Sequence, residues 1–141
     1  AEEPRVRALA TVAAWLQHPS TTPMFYGGAE GVARRVALGD AARARFERTG
    51  DVETVKAYDP SEGSTAAMFF PVEYYANPAR GAIPAWRNEF AVMGWTEWLT
   101  LDAIQYAARV RVPTLMVHSD GSALPDNVRR FHAELATPAA D

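Results

Sequence analysis

Val110-Arg111-Val112-Pro113-Thr114-Leu115-Met116-Val117-His118-Ser119-Asp120-Gly121-Ser122-Ala123-Leu124-Pro125 is the stretch whose reading decides the fold. Pro113 punctuates the entry, and Thr114–Val117 is a short apolar run of the kind that forms a strand buried on both faces of a parallel sheet. The character then changes at once. Residues 118–122 are small or polar, which places a loop at the strand's C-terminal end. Pro125 suits the first position of a helix, where its missing N–H has no partner to lose. Val128, Phe131 and Leu135 then recur at helical spacing and form one apolar stripe. Strand, polar loop and amphipathic helix make half of a βαβ unit, and open α/β sheets bind their ligands at the C-terminal ends of the strands. Asp120 is therefore the first candidate for chemistry.

A second apolar run lies near the start of the sequence. Val6–Ala14 is apolar apart from Arg7 and Thr11, and Arg7–Ala13 reads as a second buried strand, parallel to the first. Trp15, Leu16 and the turn His18-Pro19-Ser20 follow at its C-terminal end. His18 reads as a loop histidine beside a proline, with a catalytic base as the lesser alternative. About a hundred residues separate the two strands, far more than the single helix that a βαβ crossover needs.

The acid-loop stretch Pro-Thr-Leu-Met-Val-His-Ser-Asp, followed shortly by Leu124-Pro125, resembles the late strand of the α/β-hydrolase fold. Phe69-Phe70-Pro71-Val72-Glu73-Tyr74-Tyr75 and Asn88-Glu89-Phe90-Ala91-Val92-Met93 are similar to the dienelactone-hydrolase-like branch of bacterial hydrolases. The resemblance is distributed over Val6 to Leu135. It implies an α/β class: a partial α/β-hydrolase fold, two parallel core strands with a mainly helical cap inserted between them. The divisions are then 1–20 for the first strand and loop, 21–109 for the cap, and 110–141 for the second strand, acid loop and C-terminal helix. It also implies that Asp120 is the acid of a Ser…Asp…His triad. The family's commoner pattern has the acid four residues before the proline, and that position here is Gly121.

The nucleophile of that family sits in a Gly-x-Ser-x-Gly elbow. None of Ser20, Ser61, Ser64, Ser119 and Ser122 has glycine two residues away on both sides, and the chain has no cysteine. The only histidine after Asp120 is His132, inside the expected helix. The chain thus resembles the C-terminal portion of a hydrolase, from just after the elbow to just before the histidine strand. The expected function is that of a fragment or subunit of a serine hydrolase acting on an ester-like or other acyl substrate with an apolar portion. It would supply the cap and the catalytic acid, and this chain alone is expected to have no serine-hydrolase activity. A non-catalytic, hydrolase-derived module that binds a hydrophobic ligand or a partner is the alternative. A small α+β enzyme unrelated to hydrolases is the third reading.

Within the insertion, Thr21–Gly28 reads as a loop. A helix follows from Ala29, with Val32, Ala33 and Val36 on one face; Gly39-Asp40 is expected to stop it and cap a second helix running to Gly50. Arg34, Arg35, Arg43, Arg45 and Arg48 are interleaved with Glu30, Asp40, Glu47 and Asp51, so they read as a solvated face. Asp51–Tyr58 reads as extended, residues 59–64 as a turn cluster, and Thr65–Phe70 as a short apolar helix or turn. Glu73 and Arg80 are a candidate ion pair. Trp86–Trp98 reads as a helix with Trp86, Phe90 and Met93 on one side, and Thr100 or Asp102 as the cap of a last short helix. The insertion is rich in aromatics, which serve either a small core or an apolar pocket wall. Trp15, Phe25 and Tyr26 are the first substrate-facing candidates; Phe69, Phe70, Tyr74 and Trp86 are the others.

The 141 residues are enough for a domain with a real core. A hydrophobic content of 48% and a charged content of 22% are ordinary for a globular protein. The net charge of −3 argues against a nucleic-acid footprint. Three scattered histidines without a His-x-x-x-His pair give no metal motif, and no cofactor is expected. No apolar run approaches a membrane span, and no signal-type segment opens the sequence. The absence of cysteine fits a reducing cytoplasm, the expected location. The expected partners are a small-molecule substrate and a complementary chain or a second copy, with no nucleic acid and no membrane.

Overall fold

A computed structural model describes residues 3–136. In chain order its elements are β1 (Leu9–Val12), α1 (Thr22–Tyr26), α2 (Gly28–Thr49), β2 (Thr54–Val55), α3 (Glu73–Ala76), β3 (Phe90–Ala91), α4 (Trp95–Thr100), β4 (Thr114–Val117) and α5 (Pro125–Ala133). Short 3-10 segments cover Val92–Gly94 and Ile104–Arg109. The chain divides into two units, one made of residues up to Val32 together with those from Leu99 onward, the other Ala33–Trp98. The class is mixed α/β.

In the first unit β1 and β4 pair in parallel, with Leu9 opposite Thr114 and Val12 opposite Val117. The ladder extends one bond beyond each end: Leu9 N–H donates to Pro113 O at 2.9 Å and Ala13 N–H to Val117 O at 2.8 Å. Ala13 then turns to φ 50°, a left-handed conformation uncommon for a residue other than glycine, directly after the strand ends. Side chains opposite each other in a parallel pair share a face. Leu9, Thr11, Thr114 and Met116 form the half-buried face. Ala10, Val12, Leu115 and Val117 form the other, which is exposed: Val12 77%, Leu115 63%, Val117 51%. The expectation of strands buried on both faces is corrected here. The sequence is apolar on both sides, but this chain covers one.

The covered side belongs to a core of Ala107, Val110 and Phe131, against which Leu16, Val112, Met116 and Leu135 pack. Helix α5 begins at Pro125, as its sequence dictates, after Leu124 at φ 54°. It buries Val128 and Phe131 from the expected stripe. Asn127 Nδ2 donates to Leu16 O at 2.9 Å and ties α5 to the segment after β1. Residues 22–26, expected as loop, form the one-turn helix α1, which Gly27 ends at φ 79°.

In the second unit, Thr54 and Val55 of β2 pair antiparallel with Ala91 and Phe90 of β3. Tyr58 makes a parallel bridge to Met68; the stretch Thr65–Phe70, read as a short helix or turn, forms no helix and bends on either side of that bridge. Tyr58, Ala66, Ala67, Val92 and Trp95 are buried. The expected helix over Trp86–Trp98 forms only from Trp95, because Phe90 and Ala91 are drawn into the strand pair with β2. Helix α2 also differs: it runs unbroken through Gly39 and Asp40 to Thr49, and Gly50 at φ 77° ends it. Two of its arginines form ion pairs, Arg43 with Glu97 and Arg45 with Glu53 at 3.7 Å. Glu73 and Arg80 pair at 3.2 Å. Among the described residues no helix is long and apolar enough to cross a membrane.

Candidate functional site

The C-terminal ends of β1 and β4 point the same way because the strands are parallel, so the segments after Val12 and Val117 leave the sheet at the same end. Asp120 lies in the second of these. Its side chain is 88% exposed and is ion-paired with Arg129 of α5, which also holds Asp126 at 2.6 Å. Ser119 and Ser122 bridge the same loop through their hydroxyls at 3.0 Å. His118, the first residue beyond β4, is half-buried. Both of its ring nitrogens are buried and have no hydrogen-bond partner among the described residues.

The segment after β1 is more tightly organised. Gln17 is buried, and its carbonyl accepts the N–H of Ala103 at 3.0 Å, which fastens the 101–103 loop beside it. Trp15 Nε1–H donates to Gln17 Oε1 at 2.6 Å. The turn that follows is closed by Thr21, whose N–H and hydroxyl both donate to His18 O at 3.0 and 2.8 Å. Thr22 Oγ1–H donates to Pro19 O at 2.9 Å. Within this frame, Ser20 Oγ lies 2.7 Å from His18 Nδ1, and Ser20 N–H donates to the same nitrogen at 3.2 Å. On the other side of the ring, His18 Nε2 is 3.8 Å from Asp102 Oδ2. Asp102 Oδ1 accepts the N–H groups of Ile104 and Gln105 at 2.9 and 3.1 Å. That is the helix-capping role the sequence suggests for Asp102, and it leaves the second carboxylate oxygen for the imidazole.

The aromatic candidates fall into separate groups. Trp15 and Phe25 are in contact, ring centroids 5.6 Å apart, and Tyr26 is buried. Phe69 and Phe70 meet edge-on at 6.1 Å, and Arg35 lies over Phe69 and over Trp95 at 5.8 and 5.4 Å. Tyr74 and Trp86 are joined through Tyr75, at 5.2 and 5.3 Å from its ring. Trp15, Phe25 and Tyr26 belong to the first unit, and Phe69, Phe70, Tyr74 and Trp86 to the second.

An open depression of about 340 Å³ in the second unit is lined by Lys56, Asp59, Ser61, Glu62 and Ser64 rather than by aromatics. There the Asp59 carboxyl is held well below the usual carboxylate range. The Lys56 ammonium at 2.7 Å is the main cause, followed by the Ser61 hydroxyl at 2.7 Å and the Ser61 N–H at 3.0 Å. Among the described residues no three His, Asp or Glu side chains are grouped to hold a metal ion.

The sequence reading singled out Asp120 and His18 but did not connect His18 with Ser20 or Asp102. The His18–Ser20 spacing was visible, but the approach of Asp102 depends on the Gln17–Ala103 backbone bond, which no local pattern announces. Comparison with known proteins matches the chain to no family model and to no curated protein.

Proposed function

We propose that this chain supplies the acid loop and the aromatic cap of a serine hydrolase of the α/β-hydrolase type, acting on ester-like or other acyl substrates with an apolar portion. The observation that supports this reading is the parallel β1–β4 pair with Asp120 in the loop directly after β4. In such an enzyme the carboxylate orients and charge-stabilises a histidine, which takes the proton of the attacking serine. Serine and histidine then come from polypeptide outside these residues, and Asp120 exchanges Arg129 for the imidazole. Trp15, Phe25 and Tyr26, which lie in the same unit as Asp120, provide apolar surface for the acyl portion.

The pairing of Asp120 with Arg129 favours a second reading, a hydrolase-derived module that holds a hydrophobic ligand without catalysis. Hydrolysis of p-nitrophenyl esters of increasing acyl length by the assembly recovered from its native cell separates the two. On the first reading, Asp120→Asn lowers turnover on the order of 10⁴-fold, the scale on which loss of a triad acid acts. Turnover indifferent to Asp120 overturns it. Tryptophan quenching by a long-chain ester without any hydrolysis establishes the second.

A further inference from the structure

We infer that Ser20, His18 and Asp102 form an acyl-accepting site of their own, in which Ser20 is the nucleophile, His18 its base and Asp102 the group that positions the imidazole. The site uses neither Asp120 nor residues outside this chain, so it stands apart from the function proposed above.

Hydrogen-bond logic fixes the proton positions. A backbone N–H can only donate, so the Ser20 N–H directed at His18 Nδ1 requires a lone pair on that nitrogen. The neutral ring therefore carries its proton on Nε2, the nitrogen that faces Asp102 Oδ2 at 3.8 Å. The Ser20 hydroxyl, 2.7 Å from the same Nδ1, must donate to it. Hydroxyl to imidazole nitrogen, opposite ring N–H toward a carboxylate, is the relation a serine nucleophile requires. It is reached here with the two ring nitrogens exchanged relative to the usual triad.

The surroundings hold this relation in place. The Thr21 and Thr22 hydroxyls close the turn onto His18 O and Pro19 O. The bond from Ala103 N–H to buried Gln17 O anchors the Asp102 loop next to His18. The capped N–H groups of Ile104 and Gln105 consume Oδ1 and leave Oδ2 for the ring. The side chains of His18 and Asp102 are 19% and 28% exposed, so once His18 takes up a proton its attraction to Asp102 is less screened than that of a surface pair. Ser20 itself is exposed and open to an incoming acyl group.

The chemistry is acyl transfer from a small, activated ester. Ser20 Oγ forms a bond to the carbonyl carbon while its proton passes to His18 Nδ1, and the imidazolium is stabilised by Asp102. Collapse of the tetrahedral intermediate breaks the carbon–oxygen bond of the ester. The departing alkoxide or phenoxide takes the proton back from Nδ1 and leaves O-acyl-Ser20. Water, deprotonated by Nδ1, then releases the carboxylic acid and restores the hydroxyl. With the nucleophile on an exposed turn, substrate binding contributes little, and a good leaving group carries the first step.

p-Nitrophenyl acetate is the probe. The purified chain is expected to release nitrophenolate and gain one acetyl group, located on Ser20 by peptide mass mapping. The rate should be on the order of 10²-fold above that of Ser20→Ala and His18→Ala, the lower range of general-base assistance. His132→Ala, which removes an exposed imidazole elsewhere, leaves the rate unchanged. Asp102→Asn separates positioning from capping. The asparagine oxygen still accepts from Ile104 and Gln105, so a merely structural aspartate would leave acylation intact, whereas the site loses about tenfold. Asp102→Glu restores part of that loss. Acetyl found on Lys56, the single lysine, or on the N-terminus in place of Ser20 overturns the inference. So does Ser20 acetylation at equal rate in His18→Ala.

Discussion

At the scale of single residues, Asp59 shows how much local charge organises the irregular segment of the second unit. Its carboxylate accepts from the Lys56 ammonium and from the hydroxyl and N–H of Ser61. All three favour the ionised form, and the carboxyl titrates below its ordinary value of 3.8. A depressed folded-state pKa contributes stability that is fully present above the unfolded-state value and is lost as pH falls through the folded one. Thermal unfolding followed against pH is therefore expected to show Asp59→Asn less stable than the wild type at neutral pH. The gap is small, because the pair is open to solvent, and it closes only in strongly acidic solution. A gap that persists unchanged to the acid limit would assign the effect to the asparagine's packing instead. The 59–64 turn was legible from its Asp-Pro-Ser-Glu-Gly-Ser composition. The Lys56 contact was not, because a lysine three residues before an aspartate carries no signal outside a helix.

At the scale of elements, the clearest departure from the sequence reading is the unbroken helix α2. A glycine followed by aspartate is a sound local signal for a stop and a cap, yet Gly39 sits in the interior of a 22-residue helix. The reason is a close approach. A Cβ at Gly39 would stand 2.9 Å from Thr96 Oγ1 and 3.1 Å from both Thr96 N and Trp95 Cβ. Asp40 is not a cap either; its Oδ1 accepts the Thr96 hydroxyl at 2.7 Å. Glycine thus serves packing against α4. In an isolated helix, Gly39→Ala would stabilise by about 1 kcal/mol. Here the Thr96 backbone and the Trp95 side chain must give way, at a cost of about 1–3 kcal/mol. Net destabilisation is expected, read as a lower urea midpoint with an unchanged slope. A raised midpoint would show that α4 yields easily and that Gly39 is a remnant of no structural use. Strands β1 and β4 were legible because apolar runs bounded by polar turns need little context. Pairs as short as β2–β3 were not, since two residues carry no periodicity.

At the scale of the whole molecule, the β1–β4 sheet sets the terms. Parallel sheets occur almost always with both faces covered, and this one has a single covered face. Two strands are also too few for independent stability without further cover. Among the described residues β1 and β4 each pair on one side only, so each presents a row of backbone donors and acceptors to solvent. No lysine or proline within either strand blunts these edges. Val12, Leu115 and Val117 add an exposed apolar stripe across the pair. Burial of such side chains stabilises by about 1.5–3 kcal/mol each, so association that covers the stripe is favoured over solvation. The purified chain at micromolar concentration is therefore expected to self-associate, with a light-scattering mass above that of one chain. Val12→Lys together with Leu115→Lys, both on the uncovered face, should shift the population toward the monomer without lowering the unfolding temperature of what remains. A sharp monomer mass for the wild type, together with one cooperative thermal transition, would contradict this expectation. It would mean that the half-covered sheet is stabilised from its buried side alone, by Met116, Val110, Ala107 and Phe131.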